Sequence, residues 1–126
     1  MTYFFDNSVS RRIVRALGDL GVEAVHLQDE LPEDASDVAW LRLAGERRWV
    51  VVTGDARILK APREREALRA ANTVAVIAHK GFARLDLWDQ AAWLIRSWRT
   101  IDAAVRRAAP GTNLRIGPRG QIERFR

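Results

Sequence analysis

The sequence predicts an α/β domain: a mostly parallel sheet with helices on both of its faces. Three observations carry that expectation. Short apolar runs of strand length (Tyr3-Phe4-Phe5, Trp49-Val50-Val51-Val52, Thr73 to Ala78) stand far apart in the chain, and near-continuous apolar character marks strands covered on both faces. Between them lie segments whose apolar residues recur at helical spacing, so strand and helix alternate. With 126 residues, 48% of them apolar, the chain suits one domain with one core and is too apolar for overall disorder.

Taken in order, Tyr3 to Asp6 is the first strand. Ser8 or Ser10 caps a helix running to about Leu20, with Ile13, Val14 and Leu17 on one face, and Gly21 ends it. Glu23 to Leu27 is a short second strand, and Gln28 to Ala35 is an acidic loop containing Pro32. Ser36 caps a helix from Asp37 to about Glu46, with Val38, Leu41 and Trp40 as inward candidates. Arg48 to Thr53 is the third strand, and Ala56 to Lys60 is a turn. Pro62 opens a helix to Ala71, because proline is favoured in a first helical turn. Thr73 to Ala78 is the fourth strand and His79 to Asp86 a loop. Leu87 to Ala108 is the longest helix, with Trp88, Ala91, Leu94 or Ile95, Trp98, Ile101 and Val105 at helical spacing. Pro110-Gly111 stops it, and Asn113 to Phe125 reads as a β-hairpin turning at Gly117-Pro118-Arg119-Gly120.

Cysteine is absent, which excludes disulfides, thiolate metal sites and cysteine nucleophiles and fits a reducing, cytoplasmic compartment. No signal peptide is expected, since an acid already stands at Asp6, and no apolar run approaches the ~18 residues of a membrane span. The net charge is +5, unevenly divided: residues 1–60 hold 8 Lys/Arg and 10 Asp/Glu, residues 61–126 hold 13 and 6. A slightly acidic half beside a strongly basic one suits a polyanion held by arginines near an acidic centre. Arg-rich helices that only solvate a surface give the same totals.

The chemistry concentrates in three aspartates. Asp6 closes the first strand, Asp55 follows the third through Thr53 and Gly54, and Asp37 opens a helix behind Ser36. In a doubly wound sheet the first and third strands are neighbours, and ligands bind beyond the carboxyl ends of the strands. Carboxylates gathered there repel one another unless a cation joins them. An all-oxygen ligand set suits Mg²⁺ or Mn²⁺, and two such ions ~3.5–4 Å apart stabilise an in-line phosphoryl displacement without help from histidine or cysteine. Each aspartate alone also reads as an ordinary capping or turn residue.

Three segments, Tyr3-Phe4-Phe5-Asp6-Asn7, Ala35-Ser36-Asp37 with Trp40-Leu41 behind it, and Trp49-Val50-Val51-Val52-Thr53-Gly54-Asp55-Ala56-Arg57-Ile58, together resemble the PIN-like domains. The likeness is nearest to the small toxin-type group related to VapC ribonucleases. The helix from Pro62 and the terminal hairpin look similar too, so the likeness extends over nearly all of residues 1–126 as one domain. The resemblance implies a three-layer α/β/α fold, dependence on Mg²⁺ or Mn²⁺, endoribonuclease activity on RNA, and a partner antitoxin that blocks the site, with homodimers common. Asp6, Asp37 and Asp55 fall on the family's acidic positions. Many members carry a fourth acid just after the Thr-x-Asp segment; this chain has Arg57 there, which implies a second ion held weakly or only with substrate, and Asn7 is a candidate replacement oxygen.

Arg57, Lys60 and Arg63 follow Asp55 closely, and Arg11 begins the helix after Asp6; these are the candidate phosphate contacts, with a solvated face as the alternative. Of the tryptophans on the long helix, 88 shares a stripe with positions 95 and 98 while 93 lies off it; one exposed for base stacking or a dimer or antitoxin surface is one expectation, core packing the other and the preferred one. His26 and His79 stand apart from each other and from any acid pair and are expected to be structural. A phosphoacceptor receiver domain is the competing reading, since it too ends strands one and three in acids. Asn7 in place of an acidic pair, the lack of a hydroxyl ending the fourth strand, and His79-Lys80-Gly81 speak against it. A PIN-like module that binds without cutting is the third.

Overall fold

The computed structural model describes residues 1–126. The chain runs β1 (Tyr3–Phe5), α1 (Arg11–Asp19), β2 (Ala24–His26), α2 (Leu27–Glu30), α3 (Asp37–Arg47), β3 (Val50–Thr53), α4 (Pro62–Ala71), β4 (Ala75–Ala78), α5 (Leu87–Arg107), β5 (Asn113–Ile116) and β6 (Ile122–Phe125), with 3-10 turns at Ala56–Leu59 and Lys80–Arg84. The six strands form one sheet in the order β2-β1-β3-β4-β5-β6. Pairing is parallel from β2 through β5, and only β6 is antiparallel, closing the C-terminal hairpin on β5. The order reverses beside β1, so β1 and β3 are neighbours with Phe5 opposite Val52.

Strand alternation builds two cores from the same residues. Tyr3, Phe5, Val50, Val52, Val76 and Ala78 point to one face, where α1 supplies Ile13, Val14 and Leu17 and α5 supplies Leu94, Trp98, Ile101 and Val105. Phe4, Val51, Ala75 and Ile77 point to the other, against Leu27, Trp40, Leu41, Ala44 and Leu68. Phe4 stacks on Trp40 with ring centroids 5.7 Å apart. The result is three layers, with α1 and α5 on one side and α2, α3 and α4 on the other. No helix is long and apolar enough to cross a membrane.

Some boundaries and faces differ from the sequence expectation, each for a local reason. Arg48 does not begin β3; at φ 58 it is the left-handed cap of α3, which delays the strand to Val50. The acidic loop begins as a single helical turn, α2, because the His26 ring accepts the Gln28 N–H at 3.1 Å and caps it. The other ring nitrogen of His26 lies 2.8 Å from the Val9 carbonyl, so the buried imidazole is the Nε2–H tautomer, and burial lowers its pKa. Trp49 is half-buried, stacked on Phe4 with Arg47 over its ring.

The long helix buries Leu94, Trp98, Ile101 and Val105 as expected, but its first turns depart from the expected stripe. Trp88 is 85% exposed and Ile95 38%, whereas Trp93 is buried. Trp93 is drawn in because it fills a gap against Phe82 and the His79 ring, and its indole N–H reaches the Pro118 carbonyl at 3.1 Å. That contact ties α5 to the hairpin turn, a demand that helical spacing alone does not register.

Candidate metal centre

The first and third strands deliver their ends to the same edge. One residue past Phe5 the chain reaches Asp6, whose amide meets the Val52 carbonyl at 3.4 Å. Its carboxylate is buried, 7% exposed, and is fixed by hydroxyls from both strand ends. Thr53 Oγ1 donates to Oδ2 at 2.6 Å, and Oδ1 accepts the Ser8 hydroxyl together with the Ser8 amide at 3.1 Å. Ser8 Oγ in turn accepts the Gly54 N–H at 2.6 Å. Gly54 has no side chain because none fits: a Cβ there would come within 2.7 Å of the Phe82 ring and 3.3 Å of Ser8 Oγ.

No cation pairs with Asp6. Burial pushes its pKa up to about 6, against the hydrogen bonds from Ser8 and Thr53 that lower it, and the charge of Asp37 raises it further. That influence places Asp37, at the first turn of α3, within electrostatic reach of Asp6. Asp37 is exposed, and its Oδ1 accepts the Trp40 indole N–H at 2.9 Å, so a core tryptophan orients it. Ser36 Oγ accepts the Ala39 N–H at 3.1 Å and sets the start of the helix. Replacing Ser36 by Ala is expected to cost about 1 kcal/mol of stability; an unchanged urea midpoint would show that this cap does not anchor α3.

Asp55 stands two residues beyond Thr53 and caps the 3-10 turn by accepting the Arg57 N–H at 3.0 Å. Its carboxylate is clasped by the Arg57 guanidinium, Nε at 2.9 Å from Oδ1 and Nη2 at 2.8 Å from Oδ2. Those bonds hold the Asp55 pKa below the usual carboxylate range, against a smaller opposing effect of burial. Asp37 also acts on Arg57, helping to keep it charged. Asp37 thus acts electrostatically on both Asp6 and Arg57, while Asp55 is engaged by Arg57.

The donor chemistry of this neighbourhood fits a hard divalent cation. Its acceptors are carboxylates, and its innermost one carries a desolvated charge with no counterion, which a bound cation would stabilise. Arg57 is ion-paired with Asp55. As folded here, no three of the acidic and histidine side chains stand close enough to hold one ion.

The other sequence candidates are placed as follows. Asn7 is exposed at the rim; its Oδ1 accepts from Gln28 and its amide reaches the Glu33 carbonyl. Arg11 is paired with Asp29. Lys60 is exposed with no acidic partner within 4.0 Å, and Arg63 lines the groove between α3 and α4. Asp6 and Asp55 lie outside that groove, which is the trough between two crossing helices. Ser8 and Thr53 were not singled out by the sequence reading as partners of Asp6. The available signal was a hydroxyl two residues after one acid and another two residues before the next.

A family model described as a PIN like domain matches residues 1–80 of this chain. No curated protein and no solved structure matches it.

Proposed function

Because the chain belongs to the PIN-like domain family, whose fold is of nuclease type, we propose that it is an endoribonuclease that depends on Mg²⁺ or Mn²⁺, the toxin of a toxin–antitoxin pair acting in the cytoplasm. The observation that carries this reading is Asp6: a buried carboxylate at the end of β1, oriented by Ser8 and Thr53, lacking a counterion and feeling the charge of Asp37. Buried charge is expensive, and a fold that keeps it has a use for it.

In this reading Asp6, Asp37 and Asp55 hold the cation, with Asn7 as a further oxygen at the rim. Held by these residues, a divalent cation would lower the pKa of water and offset phosphodiester charge. Ser8 and Thr53 hold the Asp6 oxygens in one orientation, as outer partners of a metal ligand do. Arg57, Lys60, Arg63 and Arg11 lie on the elements that follow β3 and β1 and serve as contacts to the RNA backbone, which fix register without reading sequence. An antitoxin covering this acidic edge and a homodimer are the partners expected of such a toxin.

Two measurements test the reading. Purified protein with Mn²⁺ should cut single-stranded RNA internally, and chelation should stop it. Millimolar Mn²⁺ or Mg²⁺ should also raise Tm by several degrees, because a ligand that binds only the folded state stabilises it by mass action. Equal melting curves with Mn²⁺ and with chelator would rule out the metal centre. Labelling of Asp55 by acetyl phosphate would instead favour a receiver-like role, and RNA binding without cleavage a non-catalytic module.

A further inference from the structure

Asp55 is the one member of the aspartate trio that already has a cation on it. Arg57 meets both of its oxygens: Nε lies 2.9 Å from Oδ1 and 3.1 Å from Oδ2, and Nη2 lies 2.8 Å from Oδ2. The Asp55 cap of the 3-10 turn adds the Arg57 amide at 3.0 Å, so the carboxylate is engaged from two directions by one residue. The turn creates this pairing, since residues two apart on an α-helix do not face each other. A divalent ion that uses Asp55 must therefore compete with the guanidinium.

The competition is reversible by construction. The Arg57 side chain is 89% exposed and that of Asp55 35%, so the pair is screened by water and holds weakly. Arg57 is also the cation of this edge best suited to a different partner, because a planar guanidinium binds a phosphate with the same two-pronged geometry it uses on a carboxylate. A phosphodiester arriving at the edge offers that alternative.

We propose that Arg57 is an exchangeable counterion: the phosphate backbone of a single-stranded nucleic acid draws it from Asp55, and Asp55 is thereby released to the divalent cation. The inference rests on the metal-dependent reading above and deepens it. Nucleic acid and metal then strengthen each other's binding, by equal factors in the two directions. The chain on its own keeps Asp55 neutralised by an internal charge, and the complete cation site forms together with bound substrate.

The test is a Mn²⁺ titration by calorimetry on the full chain, with and without a short single-stranded 2′-O-methyl RNA verified as uncut afterwards. In the wild type, the oligonucleotide should tighten Mn²⁺ binding about fivefold or more. In Arg57→Ala, Mn²⁺ alone should bind about tenfold tighter than in the wild type, and the oligonucleotide should change it by less than twofold. Arg57→Lys, which keeps the charge without the fork, should fall between. As a second readout, the NMR signal of the Arg57 Nε–H should shift when the oligonucleotide is added without metal. Equal Mn²⁺ affinity in wild type and Arg57→Ala, each insensitive to oligonucleotide, overturns the exchange and leaves the metal centre standing. Absence of Mn²⁺ binding in every variant overturns the metal centre itself.

Discussion

Asp6→Asn is expected to abolish metal-dependent cleavage and, in the absence of metal, to make the protein more stable at neutral pH. Loss of groups that merely support a metal ligand costs about 10–100-fold, so loss of the innermost carboxylate should cost at least the upper end. The stability gain follows from the raised pKa of Asp6, about 6 against an ordinary 3.8. Between those values the folded chain binds more protons than the unfolded one, so metal-free stability falls as pH rises and levels off above about 6. The full penalty is about 3 kcal/mol at about 1.4 kcal/mol per pKa unit. Asn removes the charge but matches the Ser8 and Thr53 donors imperfectly, so a net gain of about 1–2 kcal/mol is expected. Thermal melts with chelator should show the variant above the wild type at pH 7.5, with the gap closing toward pH 4. A wild type that melts higher at pH 7.5 without metal would contradict this account.

Gly45→Val should cost about 3 kcal/mol, a larger loss than any surface change on the same helix. Gly45 is where α3 crosses α4. A Cβ there would lie 2.8 Å from Ala71 Cα, 2.9 Å from its Cβ and 3.2 Å from its carbonyl oxygen. The obstacle is backbone at the end of α4, followed by Asn72 in a left-handed cap, so it has little room to retreat. The helices must separate, and α3 carries Asp37 at its other end; cation-dependent stabilisation should weaken along with the fold. A urea midpoint within about 0.5 kcal/mol of wild type, the scatter of ordinary surface substitutions, would show that the crossing is looser than its geometry indicates.

The sheet was legible in the sequence because its central strands are covered on both faces. Val50 to Val52 and Ala75 to Ala78 are apolar throughout, which marks these strands in the sequence. That the ends of β1 and β3 lie side by side followed from topology, and Thr53 bonding Asp6 at 2.6 Å shows how close they come. What was not legible depends on partners distant in sequence. Trp88 and Trp93 exchange places because a carbonyl in the hairpin, at Pro118, claims the indole of Trp93. α2 is too short to display a period, and its cap comes from a buried histidine. Gly45 inside a helix was a cue to a close backbone approach, but only the crossing with Ala71 gives it meaning. The clasp of Arg57 on Asp55 needs a 3-10 turn that an apolar pattern does not specify.

The family match ends at residue 80, yet the protein does not end its core there. On the face covered by α1, the segment after that point contributes Phe82, Trp93, Leu94, Trp98, Ile101, Ala104, Val105, Leu114 and Ile116, and β5 shields the open side of β4. The stretch matched by the family model and the stretch that builds this core are thus different lengths of chain. A fragment cut at that point would present a bare strand edge and one oily sheet face to solvent, a template for aggregation. The matched stretch contains Asp6, Asp37 and Asp55; residues beyond it complete the core on the face that α1 shares.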